Sequence, residues 1–91
     1  YNAYHGSSHG SLSVGGSEKF KQAYRPLLPA IKHICYGEMA EIEKISEKTA
    51  CVILETIQGE AGVRVANTEY FQALRKQCTQ TGTLLILDEI Q

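Results

Sequence analysis

The pattern of apolar and polar positions is most readable in the second half of the chain. Residues 50–54 (Ala-Cys-Val-Ile-Leu) form an unbroken apolar run of strand length, with the β-branched Val52 and Ile53 inside it. Such residues suit an extended, covered backbone. A polar, glycine-containing stretch, residues 55–66, reads as a loop. Beyond it, Tyr70, Phe71, Leu74 and Cys78 recur at helical spacing and would share one buried face. Asn67 is placed to cap that helix, Glu69 to meet the positive end of its dipole, and Gly82 to end it. Residues 83–87 (Thr-Leu-Leu-Ile-Leu) make a second apolar strand. Strands that are apolar throughout, rather than alternating, predict a sheet covered on both faces. Strand, helix and strand at this spacing predict a βαβ unit with parallel strands and a right-handed crossover.

The first half is fainter. Residues 1–17 are rich in Gly and Ser, contain Tyr1, Tyr4, His5 and His9, and read as a loop leading into a short helix near residues 8–14. Residues 18–30 hold both prolines and read as a surface connection. Residues 33–36 suit a short strand. Residues 38–48 place Met39, Ile42 and Ile45 on one side, with Glu38, Glu41 and Lys44 on the other, the pattern of an amphipathic helix.

This arrangement says where chemistry would sit. In open α/β sheets, ligands bind beyond the carboxyl ends of the strands. The first strand ends at Glu55 and the second at Asp88-Glu89, so two strands deliver carboxylates to the same edge. These acids are either solvated loop residues or part of a site that uses fixed negative charge. Asp88 follows five residues of strand and is expected to be partly desolvated and rigidly aimed. A carboxylate so placed needs a positive partner or hydrogen-bond donors. No Lys or Arg lies close to it in sequence, and a ligand cation is one solution.

Composition narrows the classes. The 91 residues suffice for one small domain. Hydrophobic residues are 43% and charged residues 21%, ordinary for a globular protein. The net charge of -1 comes from 9 basic and 10 acidic residues spread along the chain. That spread argues against a nucleic-acid surface and against a polybasic membrane patch. The longest apolar runs fall far short of the ~20 residues that span a bilayer, and no signal-peptide pattern opens the chain. Cys35, Cys51 and Cys78 are odd in number and widely spaced, which suits buried small hydrophobes in a reducing cytoplasm better than a zinc site. With no initiator Met, and an end straight after Leu-Asp-Glu-Ile-Gln, both ends are expected to have been cut from something longer.

Three local patterns carry alternative chemistry. Gly6-Ser7-Ser8-His9-Gly10 fits the nucleophile elbow of hydrolases, but that elbow must follow a buried strand, and residues 1–5 are not apolar enough to be one. His5 and His9 are four apart, like a helical metal pair, but Gly6-Ser7-Ser8 forms helix poorly and no third ligand follows. Leu84-Leu85-Ile86-Leu87-Asp88-Glu89 resembles the magnesium-binding strand of a nucleotide-binding ATPase. Its partner phosphate loop is absent from these residues.

Four blocks in order carry a resemblance across nearly the whole chain: Tyr4-His5-Gly6; Tyr24-Arg25-Pro26-Leu27-Leu28-Pro29; Glu55-Thr56-Ile57-Gln58-Gly59-Glu60-Ala61-Gly62-Val63; and Asp88-Glu89-Ile90-Gln91. Together they resemble the class III aminotransferases of pyridoxal-phosphate fold type I. Within that family, Ser11-Leu12-Ser13 and Pro26-Leu27-Leu28-Pro29 look most like the acetylornithine-type members, with ornithine-type members close behind. The resemblance implies an α/β fold: residues 1–91 would be a βαβ-containing piece of the large, mostly parallel-sheet, cofactor-binding domain. It implies pyridoxal 5′-phosphate as cofactor and no metal. Asp88 would pair with the protonated pyridine nitrogen, Gln91 would donate to the ring's phenolic oxygen, and Tyr4 and Ile90 would lie on opposite ring faces. Glu60 would be the gate residue, pairing with an arginine that binds the substrate's α-carboxylate. Glu55 would support the site from beneath, and His5 has no assigned part. Thr56 departs from the family's usual Pro, and Tyr4 from the more usual Phe.

The activity implied is ping-pong transfer of the terminal amine of an N-acylated ornithine to 2-oxoglutarate, in arginine biosynthesis, by a cytoplasmic homodimer. The lysine that carries the cofactor is expected beyond Gln91 and the phosphate-binding turn before Tyr1, so the 91 residues alone are expected to be inactive. The alternatives are an ornithine or other ω-amino-acid aminotransferase, a nucleotide-binding ATPase module, and a structural βαβ piece with no ligand.

Overall fold

The computed structural model describes all 91 residues. Two short helices open it, α1 (His9–Val14) and α2 (Glu18–Lys21), the second running into a 3-10 turn at Gln22–Tyr24. A second 3-10 segment, Met39–Lys44, precedes strand β1 (Cys51–Glu55), helix α3 (Thr68–Thr81) and strand β2 (Leu84–Asp88). β1 and β2 pair in parallel, with Cys51 opposite Leu84 and Glu55 opposite Asp88. The βαβ unit is thus present where the apolar runs place it.

Local chemistry explains α3. The Asn67 side chain accepts the Tyr70 N–H at 2.8 Å, which satisfies a donor the helix itself cannot. At the other end Gly82 has φ 70°, and the Thr83 N–H closes back on the Cys78 carbonyl at 2.9 Å. The buried face is Tyr70, Leu74 and Cys78, each no more than 1% exposed. With Tyr36, Ile42, Ile45 and Leu54 they form the core. Burying one such large apolar side chain contributes about 1.5–3 kcal/mol, so this face is what mainly holds α3 to the Met39–Lys44 segment and the sheet.

Five expectations need correction. Cys35 and Cys51 are exposed rather than buried, and of the three cysteines Cys78 alone lies in the core. Residues 33–36 are not a strand. Residues 33–35 are irregular with no neighbouring strand to complete a ladder, and Tyr36 enters a turn and sends its ring into the core. Residues 38–48 do not form an α-helix but the six-residue 3-10 segment. Met39, Ile42 and Ile45 recur at a strict three-residue interval, the 3-10 period, at which side chains eclipse. Ile42 and Ile45 are buried, whereas Met39 is half exposed. Residues 18–30 are only partly a connection, since α2 and its 3-10 turn occupy their first half. The sheet is not covered on both faces: Leu84 and Ile86 share one face and remain exposed, because these 91 residues supply no layer there, and Leu87, on the same side as the core-packed Leu85, is exposed near the strand's carboxyl end. No helix is long and apolar enough to cross a membrane.

Candidate active site

Strand register sets the site. Glu55 and Asp88 are the last residues of β1 and β2 and lie side by side. Consecutive residues of the N-terminal segment reach them. The Tyr4 N–H donates to Glu55 Oε1 at 2.7 Å, and the His5 ring places Nδ1 2.9 Å from Asp88 Oδ2. An ionised carboxylate only accepts, so Nδ1 carries the proton in this bond. The Ile90 N–H donates to the other oxygen, Asp88 Oδ1, at 3.2 Å.

The segment is seated further back as well. The Gly16 N–H donates to the Ala3 carbonyl at 2.8 Å, and the buried Gln58 amide donates to the Tyr1 carbonyl at 3.1 Å. Gly16 is required by space: a Cβ there would lie 2.2 Å from the Asn2 nitrogen.

Electrostatics follow from these contacts. The His5 ring, and then the Ile90 N–H, hold the Asp88 carboxyl below the usual carboxylate range. The Asp88 side chain is 21% exposed and that of His5 only 3%. Asp88 is therefore ionised and oriented, with each oxygen spending one bond of the ~four a carboxylate can accept. His5 Nε2 is buried and without a partner.

The other candidate residues sort themselves around this pair. Tyr4 packs edge-on to Phe20, ring centroids 5.9 Å apart, and its hydroxyl lies 3.4 Å from Ser7 Oγ, a neighbour for the group that Phe would lack. Tyr4 and Glu60 line one cleft of about 270 Å³ together with Asn2, Ala3, Ser17 and Phe20. Glu60 is exposed. Its loop is pinched by the antiparallel bridge between Gln58 and Arg64. Gln91 packs against Gly59, where an added Cβ would come within 3.0–3.3 Å of the Gln91 side chain. Ile90 stands apart, 81% exposed. Tyr4, Glu55 and Asp88 are thus gathered directly, and Glu60 by way of the cleft.

His5 is the member that sequence reasoning leaves unassigned. Its one sequence signal is the mismatch between a desolvated strand-end acid and the lack of any nearby Lys or Arg. The competing patterns fare differently. His5 turns to Asp88 rather than to His9, which is exposed. Residues 1–6 form no strand ahead of Gly6-Ser7-Ser8-His9-Gly10, so the elbow geometry is missing.

Comparison with known proteins identifies the family. The family model for class III aminotransferases matches residues 1–91. The chain is 44% identical over 91 residues to an acetylornithine aminotransferase of Clostridium acetobutylicum, covering 99% of this chain and 24% of that protein. It is 41% identical over 90 residues to a [LysW]-aminoadipate semialdehyde/glutamate semialdehyde transaminase of Sulfurisphaera tokodaii, covering 99% and 23%. The ornithine aminotransferase structure of Toxoplasma gondii superposes with a TM-score of 0.89 at 28% identity, over 98% of this chain and 22% of that one. The chain thus spans about a quarter of the length of the relatives it matches. With its four motif blocks in order, its parallel strand ends and a family match from first residue to last, the chain belongs to the class III aminotransferases.

Proposed function

We propose that this chain forms one wall of a pyridoxal 5′-phosphate site, within the large cofactor-binding domain of an aminotransferase that moves the terminal amine of an N-acylated ornithine to 2-oxoglutarate. The observation that carries this reading is Asp88, a strand-end carboxylate kept ionised and aimed by His5 and the Ile90 N–H, with acceptor capacity to spare. The residues fit such a cofactor. When bound, its protonated ring draws off the electron pair left as the proton leaves the amine-bearing carbon of the substrate.

The chain's own residues would do the rest. Asp88 accepts the ring N–H and keeps that nitrogen protonated. Tyr4 and Ile90 would hold the ring between them; stacking by the Tyr4 ring would contribute ~1 kcal/mol beyond area burial. Gln91 would donate to the phenolic oxygen. Glu55 holds the Tyr4 backbone, the support from beneath that its buried carboxylate suits. Glu60, free at the mouth of the cleft it shares with Tyr4, pairs with an arginine that binds the substrate's α-carboxylate and releases it for the second substrate.

The identities of 40–46% to acetylornithine aminotransferases support the N-acylornithine substrate. The likeness to ornithine aminotransferase structures keeps ornithine as a second reading. We place the whole protein in the cytoplasm as a homodimer acting in arginine biosynthesis; the free state of Cys35, Cys51 and Cys78 suits a reducing compartment. The test is Asp88→Asn in the full-length protein. Transamination of N-acetylornithine is expected to fall at least ~100-fold with the fold intact, and near-normal turnover would refute the assignment.

A further inference from the structure

The loop that carries Glu60 leaves β1 at Thr56 and rejoins the fold at Ala66, and both of these points meet one hydroxyl. The Tyr36 O–H donates to the Thr56 carbonyl at 2.8 Å. The same oxygen accepts the Ala66 N–H at 3.4 Å. A phenol can do both at once, because it has one donor and two lone pairs. Burial raises the Tyr36 pKa, so the hydroxyl keeps its proton and remains a donor.

The hydroxyl is itself firmly held. The Tyr36 ring belongs to the core and is 9% exposed. It meets Tyr70 and Phe71 of α3 edge to face, with centroids 6.0 and 6.4 Å apart. Within the loop, Gln58 and Arg64 exchange backbone bonds of 2.8 and 3.0 Å. The loop therefore has an inner rung, the backbone bridge, and an outer one made by Tyr36. Gly59, just beyond the inner rung, bears on Gln91. Without the outer rung, the half-buried Thr56–Ala66 base would be held by the single short bridge against chain entropy that favours opening.

We infer that Tyr36 is a positioning residue which closes the base of the Glu60 loop and so sets how that acid moves between the two substrates of the reaction. The inference rests on the reading of Glu60 as the gate. Tyr36 sits in the helix-facing core and touches neither the cleft nor Asp88. It acts only through the backbone it ties.

Tyr36→Phe in the full-length protein isolates the hydroxyl, since the ring and its packing stay. Amide hydrogen exchange at Ala66 and Gln58 should quicken by about three- to tenfold, the effect of losing one or two modest hydrogen bonds, while amides within α3 should not change. The ratio of the two half-reaction rates, amino donor against 2-oxo acid, should shift by at least ~3-fold with the absorbance of the bound cofactor unaltered. Unchanged exchange at Ala66 would overturn the clamp. Faster exchange with an unchanged half-reaction ratio would overturn its role in substrate switching. A wild-type protein that shows no transamination would instead refute the proposed function, and the exchange experiment would still decide the clamp.

Discussion

His5 and Asp88 lie 83 positions apart and meet at 2.9 Å, ring nitrogen to carboxylate oxygen, at the carboxyl edge of the sheet. This contact gives a partly exposed strand-end acid a close partner and ties the N-terminal segment to the end of β2. Hydrogen bonds to a charged group are worth about 1.5–3 kcal/mol, more than most single contacts at a surface.

Removing the ring should therefore weaken the site without emptying it. His5→Ala in the full-length protein is expected to lower turnover about 10–100-fold. The Asp88 carboxyl should drift back up toward its ordinary range, so the acid limb of the rate profile should move to higher pH. A pH–rate profile that keeps its acid limb in place would show that His5 does not hold Asp88.

Asp88 also links stability to pH. Its folded pKa is depressed below the ordinary value of 3.8, so its contribution is complete above that value and is lost as pH falls through the folded one. Asp88→Asn should therefore lose stability relative to wild type at pH 6, and the gap should close progressively below pH ~4. Thermal melts of both proteins across that range would show it; a gap independent of pH would argue against the ionised, bonded carboxylate.

Gly16→Ala should be costly although its backbone angles are open to any residue. The new methyl would sit 2.2 Å from the Asn2 nitrogen and 2.7 Å from that of Ala3, and neither is a side chain able to step aside. A loss of about 1–3 kcal/mol is expected by chemical denaturation, accompanied by a weaker grip on Tyr4 and a raised Kd for pyridoxal phosphate.

The core makes a simpler prediction. Leu74 of α3 is fully buried in the core with Tyr36, Ile42, Ile45 and Leu54, so Leu74→Ala should cost about 2–5 kcal/mol in a denaturant titration. Asn67→Ala, which removes only the cap on Tyr70 N–H, should cost about 1 kcal/mol.

What could be read from the sequence was what neighbours along the chain decide. The two apolar runs became β1 and β2, the Tyr70, Leu74 and Cys78 spacing became the buried face of α3, and Asn67 and Gly82 bound it, because caps and periodicity act within one or two turns. The strand ends followed from these, and with them the adjacency of Glu55 and Asp88. Around Met39–Lys44 two periods compete: Met39, Ile42 and Ile45, three apart, fit an α face loosely and a 3-10 face on its own repeat, so the local pattern does not separate the two. The segment at residues 33–36 was misread because a strand is defined by its partner, and no local signal supplies one. Tertiary structure alone decided that Tyr4 and His5 dock on Glu55 and Asp88, that Gly16 must be bare to admit them, and that the Tyr36 hydroxyl ties both ends of the Glu60 loop. Each of these depends on packing that brings distant backbone within 3 Å or so, a matter of how elements stack in space rather than of any residue's own preference.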